Sequence, residues 1–215
     1  MAQSKKLLMT VLIIAVAVGV VAGVRYFAWQ KVKTSDFAAF RHIGNPEAPI
    51  KITEYIDLQC PACAYGSLQL QKLMEQNPNK IYLELRFYPL GGHLHSLTAT
   101  KFALCAGQQG KFWPFVHLVL ERQRKWSELM DAQPAFLEVV EDIQVNSNAV
   151  LSCIADDNLR VKILEEKDAG AALGIQSTPT YFVNGKMFTG VSNMMDEVYR
   201  LLGIPKPALP FPFTK

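Results

Sequence analysis

Two cysteines separated by two residues, in the run Cys60-Pro61-Ala62-Cys63, are the side chains in this sequence best placed to do chemistry. They stand where an alternating apolar stretch, Ile50 to Leu58, gives way to helical periodicity from Cys60 to about Gln76. The first turn of a helix offers backbone N–H groups with no intrahelical partner and a partial positive charge, so a thiolate held there is stabilised and its pKa falls. On that ground Cys60 is expected to be an exposed, acidic nucleophile. Cys63, one turn along, is expected to be the more buried thiol that resolves a mixed disulfide. Pro61 suits the first helical turn, where its missing N–H is not needed. The same spacing serves half of a zinc site, but a second ligand pair is then required, and Cys105 and Cys153 stand alone. Haem attachment needs His after the second cysteine, and residue 64 is Ala. No metal and no cofactor is expected.

A second feature lies far along the chain. In Ser177-Thr178-Pro179-Thr180, Pro179 precedes the strand-like Tyr181-Phe182-Val183. Proline is disfavoured inside a central strand, so Pro179 belongs at the strand's mouth. A cis peptide there would turn the chain toward another site; an ordinary trans proline in a turn is the competing arrangement. His93 and His95 follow Gly91-Gly92, and with no carboxylate or third ligand near them in sequence they read as helix-start or surface residues. Cys105 and Cys153 fall on two predicted helices and are either a structural disulfide or buried free thiols.

The elements that must position these residues follow from periodicity. Ile81 to Tyr88 alternates like Ile50 to Leu58, and strand, helix, strand of these lengths predicts a parallel βαβ unit with a right-handed crossover. A helical block follows, from about residue 93 to 173. Within it Phe112, Phe115, Val116, Val119 and Leu120 trace one buried stripe. Trp113 and the phenylalanines of the block read as core. A helix from about Asn158 to Leu173 ends at Gly174. Asn184-Gly185 supplies the positive φ angles of a two-residue hairpin between Thr180–Val183 and Lys186–Thr189, and Val191 to Leu202 closes the domain as a helix. The predicted class is α/β: β-α-β, then a helical insertion, then β-β-α.

Composition sets the surroundings. The 215 residues are 50% hydrophobic and 19% charged, with a net charge of +3 and no basic run dense enough for nucleic acid. Leu7 to Val24 carries no charge and a single polar residue, Thr10. As a helix it would span roughly 27 Å, the thickness of a bilayer core. Lys5 and Lys6 precede it, and Arg25, Tyr26 and Trp29 follow. Its length favours a retained anchor over a cleaved signal peptide, whose apolar region is shorter, and the absence of a polar face argues against a core helix. The expected organisation is a cytoplasmic tail (1–6), a transmembrane signal anchor (7–24), a tether (25–48), a folded domain (49–204) and a Pro-rich tail (205–215).

Cys-Pro-x-Cys at a strand–helix junction, Thr-Pro before a strand and Val183-Asn184-Gly185-Lys186 after it together resemble the DsbA-type thioredoxin-fold family, over about residues 44 to 202. Ala103-Leu104-Cys105-Ala106 and Gln109-Gly110-Lys111-Phe112-Trp113 resemble stretches of that family's helical insertion. The resemblance implies a thioredoxin fold and a protein-disulfide oxidoreductase. Cys60 would be the attacking and Cys63 the resolving cysteine, and Pro179 a cis-proline facing the sulfurs. Pro61, Ala62 and Thr178 would border the substrate. Glu54 matches a buried acid behind the pair that takes the proton of Cys63; an outward-facing strand residue is the alternative. Implied partners are proteins bearing thiols or disulfides and a membrane redox protein. The soluble domain would be monomeric and would lie on the periplasmic side of a single-pass inner-membrane anchor. The family's strong oxidants have His before the second cysteine, where this chain has Ala62, so a less oxidising site is expected. A reductase or isomerase using the same pair, or an anchored binding or chaperone module, are the alternative functions.

Overall fold

The computed structural model describes residues 9–20 and 37–207. The chain falls into two units, 1–38 and 39–215. Of the first, residues 9–20 form a helix (α1) whose apolar side chains, Leu12 and Ile13 among them, are exposed. Among the described residues no helix is long and apolar enough to cross a membrane. Residues 7, 8 and 21–24 of the expected anchor, the tail 1–6, the first half of the expected tether (25–36) and most of the Pro-rich tail (208–215) lie outside the described residues.

The second unit is built on a five-stranded sheet in the order β1-β3-β2-β4-β5. Its strands are β1 (His42–Gly44), β2 (Ile50–Ile56), β3 (Ile81–Phe87), β4 (Thr180–Val183) and β5 (Lys186–Thr189). β2 and β3 run parallel, joined through α2 (Pro61–Gln76), as the βαβ reading requires. β4 pairs antiparallel with both β2 and β5. The β4–β5 turn has φ of 48° at Asn184 and 83° at Gly185, the positive pair that selects Asn-Gly. The Asn184 Oδ1 also accepts from the Lys51 N–H at 2.8 Å, tying the turn to β2.

β1 lies inside the segment read from sequence as a tether, so the folded unit starts earlier than residue 49. His42–Gly44 pairs antiparallel with Glu84, Leu83 and Tyr82 of β3. Three residues carry too little periodicity to announce a strand. What holds them is distant: the buried Arg41 guanidinium pairs with Glu166 at 2.7 Å, and Glu166 also accepts from the Phe87 N–H at 2.6 Å.

Alternation along β2 and β4 sorts side chains between two faces. Ile50, Ile52, Tyr181 and Val183 join a core with Leu70 and Leu73 of α2 and with Met194 and Val198 of α9 (Val191–Leu202). Tyr55 and Phe182 point the other way, toward Tyr88 and Ile175. Between β3 and β4 come α3 (Ser96–Gly107), α4 (Phe112–Glu121), α5 (Gln123–Trp126), α6 (Gln133–Asp142), α7 (Ser147–Ile154) and α8 (Asp157–Ala172). The α4 stripe is buried as its spacing predicts. It packs in an aromatic core in which Phe102 lies 6.2 Å from Phe115 and 5.4 Å from Phe136, with Trp126 at 4.9 Å from Phe136.

Candidate active site

β2 ends at Ile56 and α2 begins at Pro61, so Cys60 is the N-cap of α2, with Pro61 in the first turn and no side-chain cap. Both thiols are free. The Cys63 N–H bonds the Cys60 carbonyl at 3.0 Å, closing the turn. Cys63 is fully buried, as expected. Cys60 is only 7% exposed, which corrects the expectation of an exposed nucleophile. It is covered because the Thr178 carbonyl lies 3.5 Å from its sulfur, and because the buried Gln123 amide bonds both the Leu58 and the Cys60 carbonyls, at 2.7 and 3.1 Å. The Thr178–Pro179 peptide is cis, and Pro179 immediately precedes β4.

The thiol of Cys60 is pulled down to about 6. The first cause is hydrogen bonding from the Cys63 thiol; burial opposes it; the Cys63 N–H, Thr178 and the Ala62 N–H add to it. Helix-start amides thus contribute, but the neighbouring thiol outranks them. As a neutral thiol Cys60 donates to the Thr178 carbonyl; the Thr178 hydroxyl is buried and makes no hydrogen bond, and as a nearby donor it favours the thiolate. Cys63 is pushed the other way, well above an ordinary thiol, by burial and by its donation to Cys60.

Glu54 faces inward and is fully buried. Burial raises its carboxyl to about 7, against hydrogen bonding from Ser67, whose hydroxyl lies 3.2 and 3.4 Å from the two carboxyl oxygens. Tyr181 stands directly across the β2–β4 ladder from Glu54. Its hydroxyl is close enough to favour the carboxylate, yet no hydrogen bond of good geometry forms. Glu54 and Ser67 also line a cleft of about 120 Å³, whose other walls include Trp113, Val116, His117 and Glu75. Trp113, read as core, is only half-buried and donates to the His42 carbonyl at 3.1 Å.

The structure adds residues that the sequence reading passed over. Asp57, three before Cys60, is fully buried and accepts from the Gln59 N–H, the Leu90 N–H and His93 Nδ1, each at 2.8 Å. His93 therefore does have a carboxylate, 36 residues away in the chain. His95 stands at a helix start, as the N-cap of α3, but is buried, with Nε2 at 2.7 Å from the Leu129 carbonyl and its backbone N–H bonded to the Gln59 side chain. These contacts clamp the loop before α3 onto the cysteine turn. An acid at the end of a strand three residues before the pair was the available signal. Cys105 of α3 and Cys153 of α7 are bonded, with Cα atoms 5.9 Å apart.

A family model described as thioredoxin matches residues 38–202. Among curated proteins, the chain is 32% identical over 155 residues to Na(+)/H(+) antiporter NhaA 1 of Salinispora arenicola, covering 71% of this chain and 23% of that one. The chain thus spans about a quarter of the length of the antiporters it matches. It is 25% identical to "Probable disulfide bond formation protein D" of Bacillus anthracis, over 87% of this chain and 92% of that one. Among solved structures, oxidised BdbD of Bacillus subtilis superposes with a TM-score of 0.66 at 16% identity, covering 76% of this chain and 90% of that one. Wolbachia pipientis α-DsbA1 does so with a TM-score of 0.65 at 23% identity, with the same coverage.

Proposed function

The chain belongs to the thioredoxin family, and from that premise we propose that it is a DsbA-type thiol–disulfide oxidoreductase that forms disulfides in protein substrates outside the cytoplasm. One arrangement carries the reading: Cys60 caps the start of α2 against the carbonyl of the cis Thr178–Pro179 peptide, with the buried Cys63 one turn behind it, and its thiol is pulled down to about 6. The fold shared with DsbA-like oxidoreductases supports the same chemistry.

In the oxidised enzyme a substrate thiolate attacks the Cys60 sulfur, and Cys63 leaves. The substrate's second thiolate then attacks its own sulfur in the mixed disulfide, and Cys60 departs. An acidic Cys60 is a good leaving group, and stabilising it as a thiolate stabilises the reduced enzyme, which is what makes such a pair an oxidant. Pro61, Ala62, Thr178 and Pro179 border the sulfur, where an extended substrate segment would lie. Glu54 is the proton acceptor for Cys63 when the pair re-forms its bond. The apolar stretch 7–24 is the single-pass anchor, holding a monomeric domain at the periplasmic face of the inner membrane, where a membrane redox protein reoxidises it.

Equilibration with a glutathione buffer tests direction. The expected potential lies above the roughly −270 mV of thioredoxin and short of the roughly −120 mV of DsbA, because Ala62 gives the thiolate no charge assistance. A potential at or below that of thioredoxin would make the enzyme a reductase.

A further inference from the structure

Cys63 is fully buried, and its thiol must lose a proton before it can attack a mixed disulfide at Cys60. Neither Cys63 nor Glu54 touches solvent at the cysteine face, so the route between them matters. Cys63, Gly66 and Ser67 fall at i, i+3 and i+4 on one face of α2. Ser67 holds the Glu54 carboxyl. Gly66 leaves room for the Tyr181 hydroxyl: a Cβ at position 66 would collide with Tyr181 Oη. That oxygen is thereby seated on α2, one turn from Cys63, while its residue pairs across the sheet with Glu54. Tyr181 is fully buried and its hydroxyl has no hydrogen-bond partner. As packing, such a hydroxyl is a liability that Phe would avoid.

We propose that the Tyr181 hydroxyl carries the proton between Cys63 and Glu54. The inference rests on the exchange reading of the cysteine pair. A hydroxyl donates and accepts at once. The Cys63 proton passes to Oη as the Oη proton passes to the Glu54 carboxylate, and tyrosine ends as it began. The Cys63 thiolate then attacks the Cys60 sulfur, the Cys60–Cys63 bond forms, and the partner's sulfur leaves as a thiolate carrying the electron pair. Glu54 returns the proton to water through the cleft it lines with Ser67. Tyr181 stays neutral throughout, since burial and the neighbouring Glu54 hold its own ionisation well above the usual tyrosine range. The titratable groups facing it are Glu54 from β2, Cys60 from the N-cap of α2 and Cys63 from α2 itself; beyond Glu54, Glu75 and His117 stand along the cleft.

The test uses the reduced full chain and dithiobis(nitrobenzoate), whose coloured thiolate is released once when Cys60 attacks and again when Cys63 resolves. In Tyr181→Phe the second release is expected to slow by at least about tenfold relative to the first, with melting temperature no lower than wild type. Glu54→Gln is expected to slow the same step, and the double variant to be no slower than the slower single one. A second release within twofold of wild type in Tyr181→Phe, with an unchanged pH profile, would overturn the relay. Failure of the wild type to give both releases would overturn the exchange reading, and the relay with it.

Discussion

The chain holds two pairs of cysteines, and they do opposite things. Cys60 and Cys63 are free, two residues apart, at the junction of β2 and α2. Cys105 and Cys153 are 48 residues apart and bonded, joining α3 to α7 in the helical insertion. The first pair sits among groups that distinguish a thiol from a thiolate: helix-start amides, the Thr178 hydroxyl, and Glu54 behind. The Cys105 half of the second lies near the C-terminal end of α3, a helix largely buried in the aromatic core. Burial alone does not set sulfur chemistry, since Cys60, Cys63 and Cys105 are all buried; Cys60 is pulled down against burial by the polar groups around it, and Cys63 is pushed up with it.

Four changes would break or sharpen that contrast. Cys60→Ser should abolish exchange, measured as insulin or model-peptide thiol oxidation, while thermal stability changes little; retained exchange would remove the distinction between the pairs. Replacing Cys105 and Cys153 by Ala should lower unfolding free energy by about 4 kcal/mol in denaturant titration, from the freed loop in the unfolded chain, while exchange continues. The third change is pH. Glu54 has a folded pKa of about 7 against an ordinary 4.5, so between those values the folded state holds a proton that the unfolded state has released. Its contribution is complete below pH 4.5 and is lost as pH rises through 7, by about 3 kcal/mol at 1.36 kcal/mol per unit. Glu54→Gln should flatten that decline, read from stability at pH 5 and pH 8. Smallest, Asn146→Ala removes the N-cap that accepts from Ala149 at 3.0 Å and should destabilise α7, which carries Cys153, by about 1 kcal/mol, leaving the potential of the Cys60–Cys63 pair unmoved.

Patterns of short range were legible in the chain. Proline after Cys60, Asn-Gly at 184 and 185, and the α4 stripe each express a local rule about dihedral angles or periodicity, and each element stands where that rule puts it. Pairings across the chain were not. The strand at His42–Gly44 depends on Arg41 meeting Glu166, 125 residues away. His93 looked unpartnered because Asp57 reaches it only through the fold.

The sequence by itself determined which sulfur opens a helix, because the end of an apolar alternation and a proline one residue past the cysteine are written in consecutive residues. Only the tertiary structure decided how that sulfur is tuned. Cys60 is hemmed in by Thr178, 118 residues later, and Glu54 meets Tyr181 across a strand pair. Desolvation and hydrogen bonding act through space over a few ångströms, and no local pattern in a chain encodes which distant groups will come that close.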